Sequence, residues 1–223
     1  MNPSYEQIRA RVDVAAQATG HAVNLLAVSK MQPVAAIREL AMQGQRAFGE
    51  NYVQEAIVKQ RELADLDLEW HLIGPLQSNK CREAALHFDW LQSLDREKLI
   101  EPLNRFRPAD RPPLNVLIQV NIDSEASKSG CAPDAIPALA AAIASAPRLR
   151  LRGLMAIPEP ADADARGAAF TRMRERFDAL RADLPGIDTL SMGMSDDFEL
   201  AIATGATLVR IGTALFGTRN NTR

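Results

Sequence analysis

Lys30 closes a short apolar run, Leu25-Leu26-Ala27-Val28-Ser29-Lys30, and stands directly before Met31-Gln32-Pro33, where a helix can begin. A lysine held against apolar walls loses hydration, which disfavours its charged form and leaves a neutral amine able to attack an aldehyde. By position alone a solvated loop lysine is the commoner outcome. Two later stretches change the balance. In Ser191-Met192-Gly193-Met194-Ser195-Asp196-Asp197, Ser195 is set to cap a following helix, with Asp196 and Asp197 in its first turn. In Arg210-Ile211-Gly212-Thr213-Ala214-Leu215-Phe216-Gly217, Gly212 permits close backbone approach and Thr213 supplies a hydroxyl. Each also has an ordinary explanation, an N-cap and a turn glycine. Taken with Lys30, they indicate an aldehyde that carries a phosphate.

Arg210 extends the pattern. Side chains alternate along Thr207-Leu208-Val209-Arg210-Ile211, so Arg210 shares a face with Leu208 rather than with Val209. A guanidinium turned into the interior needs an acceptor there. The competing reading is an ion pair at the rim with Asp196 or Asp197. Among other polar residues near run ends, Asn51 offers a neutral amide to a ligand oxygen. Glu50, Gln77, Ser78 and Asn79 stand at similar junctions, and His71 inside Trp70-His71-Leu72-Ile73-Gly74 reads as a satisfied core imidazole. No cluster has the spacing of a metal site.

These residues must be positioned by a scaffold, and the chain alternates short β-type runs with amphipathic helical stretches throughout, the pattern of βα units around a parallel sheet. The runs fall near 24–29, 46–49, 69–74, 89–94, 115–122, 149–157, 188–192 and 207–211, which makes eight. Helical stretches cover 34–42, 53–63, 79–88, 135–144, 165–182 and 196–203. Eight strands without a Gly-rich first turn favour a closed (β/α)8 barrel of TIM type over an open doubly wound sheet. In such a barrel the active site lies at the C-terminal strand ends, and the loops after strands seven and eight often bind phosphate. Residues 5–18 form an extra N-terminal helix expected to cover the barrel's bottom, and 107–113, rich in Pro, reads as a surface link.

Bulk properties set the remaining bounds. At 223 residues, 47% hydrophobic and 24% charged, the chain supports one sizeable core, so a single domain over 1–223 is expected. A formal charge of −2 offers no general attraction to nucleic acid or an anionic membrane, so an anionic ligand must be bound locally. Two distant cysteines fit a reducing compartment, and no signal-peptide pattern or long apolar stretch is present. The expected setting is cytoplasmic.

With these residues in view, the chain resembles the family of small pyridoxal 5'-phosphate (PLP) binding and PLP-homeostasis proteins, whose barrel is like the N-terminal domain of alanine racemase. The resemblance rests on Leu26-Ala27-Val28-Ser29-Lys30, Phe48-Gly49-Glu50-Asn51-Tyr52-Val53-Gln54-Glu55, Trp70-His71-Leu72-Ile73-Gly74-Pro75-Leu76-Gln77-Ser78-Asn79-Lys80 and Val120-Asn121-Ile122. It continues in Ser127-Lys128-Ser129-Gly130, Arg152-Gly153-Leu154-Met155, Met192-Gly193-Met194-Ser195-Asp196-Asp197 and Val209-Arg210-Ile211-Gly212-Thr213. These eight stretches run in order along nearly the whole chain, and any one alone would be weak.

The resemblance implies that Lys30 is the Schiff-base lysine and Arg210 the partner of the pyridine nitrogen. It implies Ser195, Gly212 and Thr213 as phosphate ligands and Asn51 beside the ring, with Met155 and Met194 in the pocket wall. It further implies PLP homeostasis, meaning binding, buffering or delivery, with PLP-dependent apo-enzymes as recipients, a monomeric state and no established catalysis. The alternative is an amino-acid racemase. Against it stands the expectation that the chain ends just after strand eight, whereas barrel-type alanine racemases append a β-rich domain bearing a catalytic tyrosine; the two tyrosines here are Tyr5 and Tyr52. A third class, a Schiff-base aldolase without PLP, would leave Arg210 without a role.

Overall fold

The short apolar runs become eight parallel strands that pair in chain order: β1 (Asn24–Val28), β2 (Ala47–Glu50), β3 (Glu69–Leu72), β4 (Trp90–Leu94), β5 (Leu114–Val120), β6 (Leu149–Ala156), β7 (Thr189–Ser191) and β8 (Leu208–Ile211). β8 returns to pair with β1, Leu26 opposite Arg210, and closes the barrel. The computed structural model describes residues 4–123, 129–159 and 162–217. Ser127 and Lys128 of the matched stretches, and the polar tail after Gly217, lie outside the described residues.

The helices between strands are α2 (Val34–Met42), α3 (Val53–Glu62), α4 (Cys81–His87), α5 (Ile100–Phe106), α6 (Ile136–Ala144), α7 (Ala163–Asp183) and α8 (Phe198–Ala203), with α9 (Thr213–Phe216) after β8. Strand alternation divides the core in two. Outward-facing residues such as Ala27, Phe48, Leu72, Leu91, Val116, Leu154, Leu190, Val209 and Ile211 pack beneath the helices in one continuous cluster. Burying each large aliphatic side chain there contributes about 1.5–3 kcal/mol before the entropy of ordering it is subtracted. Inside the barrel, Trp90, Leu117 and Met155 form a separate small cluster. That interior also buries the polar side chains of His71, Gln92, Ser191 and Arg210.

Two sequence expectations are revised. The first helix, α1 (Tyr5–Thr19), opens on a reciprocal cap between Ser4 and Gln7 and ends at Gly20 in the left-handed conformation. Its main partner is α8 rather than the barrel's bottom: Arg11 pairs with Glu199 at 2.9 Å and stacks over Phe198. The helix α5 is short, and its seven residues include Pro102. The stretch 107–113 is no simple surface link, since the Arg107 guanidinium is buried and donates to the carbonyls of Ala85, Phe88 and Pro112 at 2.6–2.8 Å. A long polar side chain whose donors meet backbone carbonyls can be buried within a polar, partly exposed stretch.

Candidate functional site

The C-terminal strand ends open onto a cavity of about 540 Å³ whose walls include Lys30, Asn51, Ser195, Arg210, Gly212 and Thr213. All six residues singled out in the sequence therefore face one space, although they come from four separate βα junctions. Met194 also lines it, whereas Met155 does not and is instead buried with Trp90 and Leu117 within the barrel.

Lys30 is flanked by a buried ionic cluster that the sequence reading passed over. On one side the Ser29 hydroxyl donates to Glu50 Oε1 at 2.6 Å. The Lys59 ammonium, rising from α3, donates to the Ser29 carbonyl at 2.7 Å, to Glu50 Oε1 at 2.8 Å and to Glu55 Oε1 at 2.6 Å. On the other side the Met31 N–H donates to Glu55 Oε1, with Met31 held at φ 60°, a conformation that non-glycine residues seldom adopt. Burial pushes the Glu50 carboxyl up, against the opposing pull of Lys59 and Ser29. Both backbone neighbours of Lys30 are thus tied to the Lys59–Glu55 pair of α3, Ser29 to Lys59 and Met31 to Glu55, which fixes where the Lys30 side chain leaves the chain. Lys59 and Glu55 are spaced i and i+4 on a helix, a pattern that usually marks a surface pair. Nothing local signals their burial.

Arg210 points into the barrel, as alternation with Leu208 requires, and is 3% exposed. It donates from one terminal nitrogen to Ser191 Oγ at 2.6 Å and from the other to the Ala156 carbonyl at 2.8 Å. The competing ion pair is not formed: Asp197 accepts from the Met194 N–H at 2.6 Å and lies 3.4 Å from Arg166. Burial lowers the Arg210 guanidinium to about 10, with Asp197 opposing, so it remains charged near neutrality.

The loops after β7 and β8 meet through Ser195. It does not cap α8, whose N-cap position is Asp197 and lacks a side-chain cap bond. Its hydroxyl instead accepts from the Ala214 N–H at 3.4 Å, drawing it to the start of α9 beside Thr213. A cap was expected because Ser precedes a helical run. The intervening turn, with Gly193 at φ 92° and its carbonyl accepting from the Arg210 N–H at 3.0 Å, redirects it. A Cβ on Gly193 would lie 2.5 Å from Ala201 Cβ, so the turn also needs glycine for space. Asn51 is held from behind by Gly74, where a Cβ would stand 2.2 Å from the Asn51 carbonyl oxygen.

Gln119 and Ser129 also line the cavity, and Gln119 donates to the Ser129 carbonyl at 3.2 Å. A glutamine next to the end of the apolar run Leu114–Val120 was the available signal for the first. An amine, a guanidinium, hydroxyls and an amide around this space suit an anionic aldehyde. Among the described residues no three His, Cys, Asp or Glu side chains gather as metal ligands.

Comparison with known proteins agrees with this chemistry. Residues 4–220 match the family described as the N-terminal domain of alanine racemase. A Pseudomonas aeruginosa protein named pyridoxal phosphate homeostasis protein is 60% identical over 219 residues, spanning 96% of this chain and 94% of its own. The Escherichia coli protein of that name is 53% identical over 221 residues, again 96% and 94%. The structure of PipY from Synechococcus elongatus, solved with PLP bound, is 42% identical with a TM-score of 0.81, covering 95% of this chain and 100% of PipY.

Proposed function

Because this chain belongs to the alanine racemase N-terminal-domain family, and within it to the pyridoxal phosphate homeostasis proteins, we propose that its cavity binds PLP covalently and reversibly as a buffering or delivery protein. The observation that carries this reading is the convergence of Lys30, Arg210, Ser195 and Thr213 on one cavity. Lys30 forms a Schiff base with the aldehyde, Ser195, Thr213 and the Gly212 backbone hold the phosphate, and Asn51 lies beside the ring.

Bound PLP supplies an electrophilic carbon and a pyridine ring that acts as an electron sink when its nitrogen is protonated. Arg210 faces that nitrogen. A guanidinium can only donate a hydrogen bond, so it leaves the ring nitrogen unprotonated and the sink weak. That weakens carbanion chemistry on the ring without by itself separating a carrier from a racemase. The reading carries with it one PLP-binding domain over residues 1–223, a monomer, and PLP-dependent apo-enzymes as recipients. Two buried free thiols, Cys81 and Cys131, support a cytoplasmic setting. Among the described residues no helix is long and apolar enough to cross a membrane.

Borohydride reduction of the PLP-loaded protein, followed by mass spectrometry, tests the central bond. The label is expected on Lys30 and absent from a folded Lys30→Ala variant. Label found chiefly on Lys59, Lys80, Lys98 or Lys128 would overturn the assignment.

A further inference from the structure

A polar chain crosses the barrel interior from the cavity to its opposite end. Arg210 donates to Ser191 Oγ at 2.6 Å, and the Ser191 hydroxyl donates to Gln92 Oε1 at 2.7 Å. The Gln92 amide nitrogen lies 2.9 Å from His71 Nδ1, and His71 Nε2 lies 2.7 Å from Glu69 Oε1. The four inner residues are no more than 3% exposed, while Glu69, at the start of β3, is about half exposed.

The donor order is forced from the top. A guanidinium only donates, so the Ser191 oxygen accepts from it and its single proton goes to the Gln92 carbonyl. Gln92 then has only its NH2 left for His71, so Nδ1 must be an unprotonated acceptor. The proton of the neutral imidazole sits on Nε2 and is donated to the Glu69 carboxylate. His71 cannot swing out of this line: its ring stacks on Trp90 at 5.1 Å and 7°, and the Arg152 guanidinium lies 4.8 Å from the Trp90 ring centroid. Buried bonds arranged head to tail also polarise one another, which strengthens each link.

We propose that His71 is a positioning residue for Arg210: acting through Gln92 and Ser191, it fixes how the guanidinium N–H groups face the cavity and so sets the hydrogen bond offered to the PLP ring nitrogen. The second half of this statement rests on the cofactor reading given above. The first half concerns the protein alone. Holding Ser191 in a single hydroxyl orientation keeps one guanidinium nitrogen on Ser191 while the Ala156 carbonyl holds the other, leaving the remaining N–H groups a defined direction.

Two substitutions separate this role from packing. His71→Phe keeps a ring against Trp90 but deletes both nitrogens. His71→Asn gives up the ring but retains a carbonyl oxygen close to the Nδ1 position, able to accept from Gln92. If His71 served only packing, the Phe variant would behave as wild type and the Asn variant would be the impaired one. The proposal expects the reverse order. The first measurement is proton exchange of the Arg210 guanidinium by NMR in the cofactor-free protein. It should be about tenfold faster in His71→Phe, on the order of the free energy of the one ordinary hydrogen bond lost between Gln92 and His71, and near wild type in His71→Asn. Ser191→Ala, a smaller change, should reproduce the fast exchange and keeps the test decisive should the Phe variant not fold. Unchanged exchange in Ser191→Ala or in folded His71→Phe, or equally fast exchange in His71→Asn, overturns the proposal. The second measurement is the visible absorption band after loading with PLP, which should shift in His71→Phe and not in His71→Asn. Faster exchange with an unshifted band would keep His71 as the positioner of Arg210 and overturn the placement of Arg210 at the ring nitrogen.

Discussion

Lys59→Met should be among the most damaging substitutions in the chain although it touches no cavity wall. The Lys59 ammonium, 6% exposed, meets three acceptors, and they do not lose equally when it goes. Glu55 is one-quarter exposed and can be hydrated instead. Glu50 is fully buried, its Oε2 already has no hydrogen-bond partner, and without Lys59 it keeps only the Ser29 hydroxyl. Removing one partner of a buried ion pair typically costs 3–5 kcal/mol, and the hydration open to Glu55 puts the expected loss at the lower end, about 3–4 kcal/mol. For a domain of this size each kcal/mol lowers the thermal midpoint by about 2–4 °C, so a fall of roughly 6–16 °C is expected. Methionine replaces the aliphatic stem, so lost packing contributes little. The assay is a double-mutant cycle by urea and thermal unfolding with Glu50→Gln as the second change. Because the double variant has no buried charge left unpaired, it should recover more than half of the loss. A single-variant loss below about 1 kcal/mol, or additive losses in the double variant, would refute the reasoning. The same clamp holds Ser29 and Met31 on either side of Lys30, so Lys59→Met should also slow PLP uptake in a stopped-flow experiment.

Ser195→Ala combined with Thr213→Val should weaken PLP far more than unphosphorylated pyridoxal in parallel titrations, and equal weakening would place the phosphate elsewhere. Arg210→Glu, if PLP still binds, should favour the protonated ring and raise slow side reactions with L- and D-alanine at matched occupancy; robust racemisation by the wild type would instead support the racemase alternative. Burial pushes the Cys131 thiol up to about 11 and Cys81 upward as well, so neither should react with Ellman's reagent near neutral pH until the protein unfolds. Although burial pushes the Asp188 carboxyl up, hydrogen bonds from Arg152 and Thr189 hold it below its ordinary value. The native state therefore releases this proton at a lower pH than the unfolded chain. Its stabilisation is present above about pH 4 and is lost as pH falls through the folded value. Asp188→Asn should flatten that part of the acid limb in unfolding curves taken across pH.

The barrel was legible in the sequence because its signals are local. Each strand is a short apolar run closed by a turn, and eight such runs alternating with helices leave few alternatives to a closed sheet. Lys30, Asn51 and the two loops near Ser195 and Gly212 were legible for the same reason, since each closes a run or follows one, and a barrel gathers such positions at one mouth. Even the inward direction of Arg210 follows from alternation with Leu208. What depends on register between distant strands was not legible. Ser191 and Gln92 lie 99 residues apart and touch through the barrel interior, where one residue of register slip would turn either outward. His71 read correctly as a satisfied imidazole, but which partners satisfy it, and that they lead to Arg210, required the closed sheet. The burial of Lys59 and Arg107 was hidden because their charges are matched by groups from other elements, and a sequence displays a charge without its partners. Ser195 carried the composition of a cap, and the geometry around Gly193 gave its hydroxyl to α9 instead. Local patterns decided which elements form and which side chains reach the mouth, whereas the partner of each buried polar group was decided only when the strands closed.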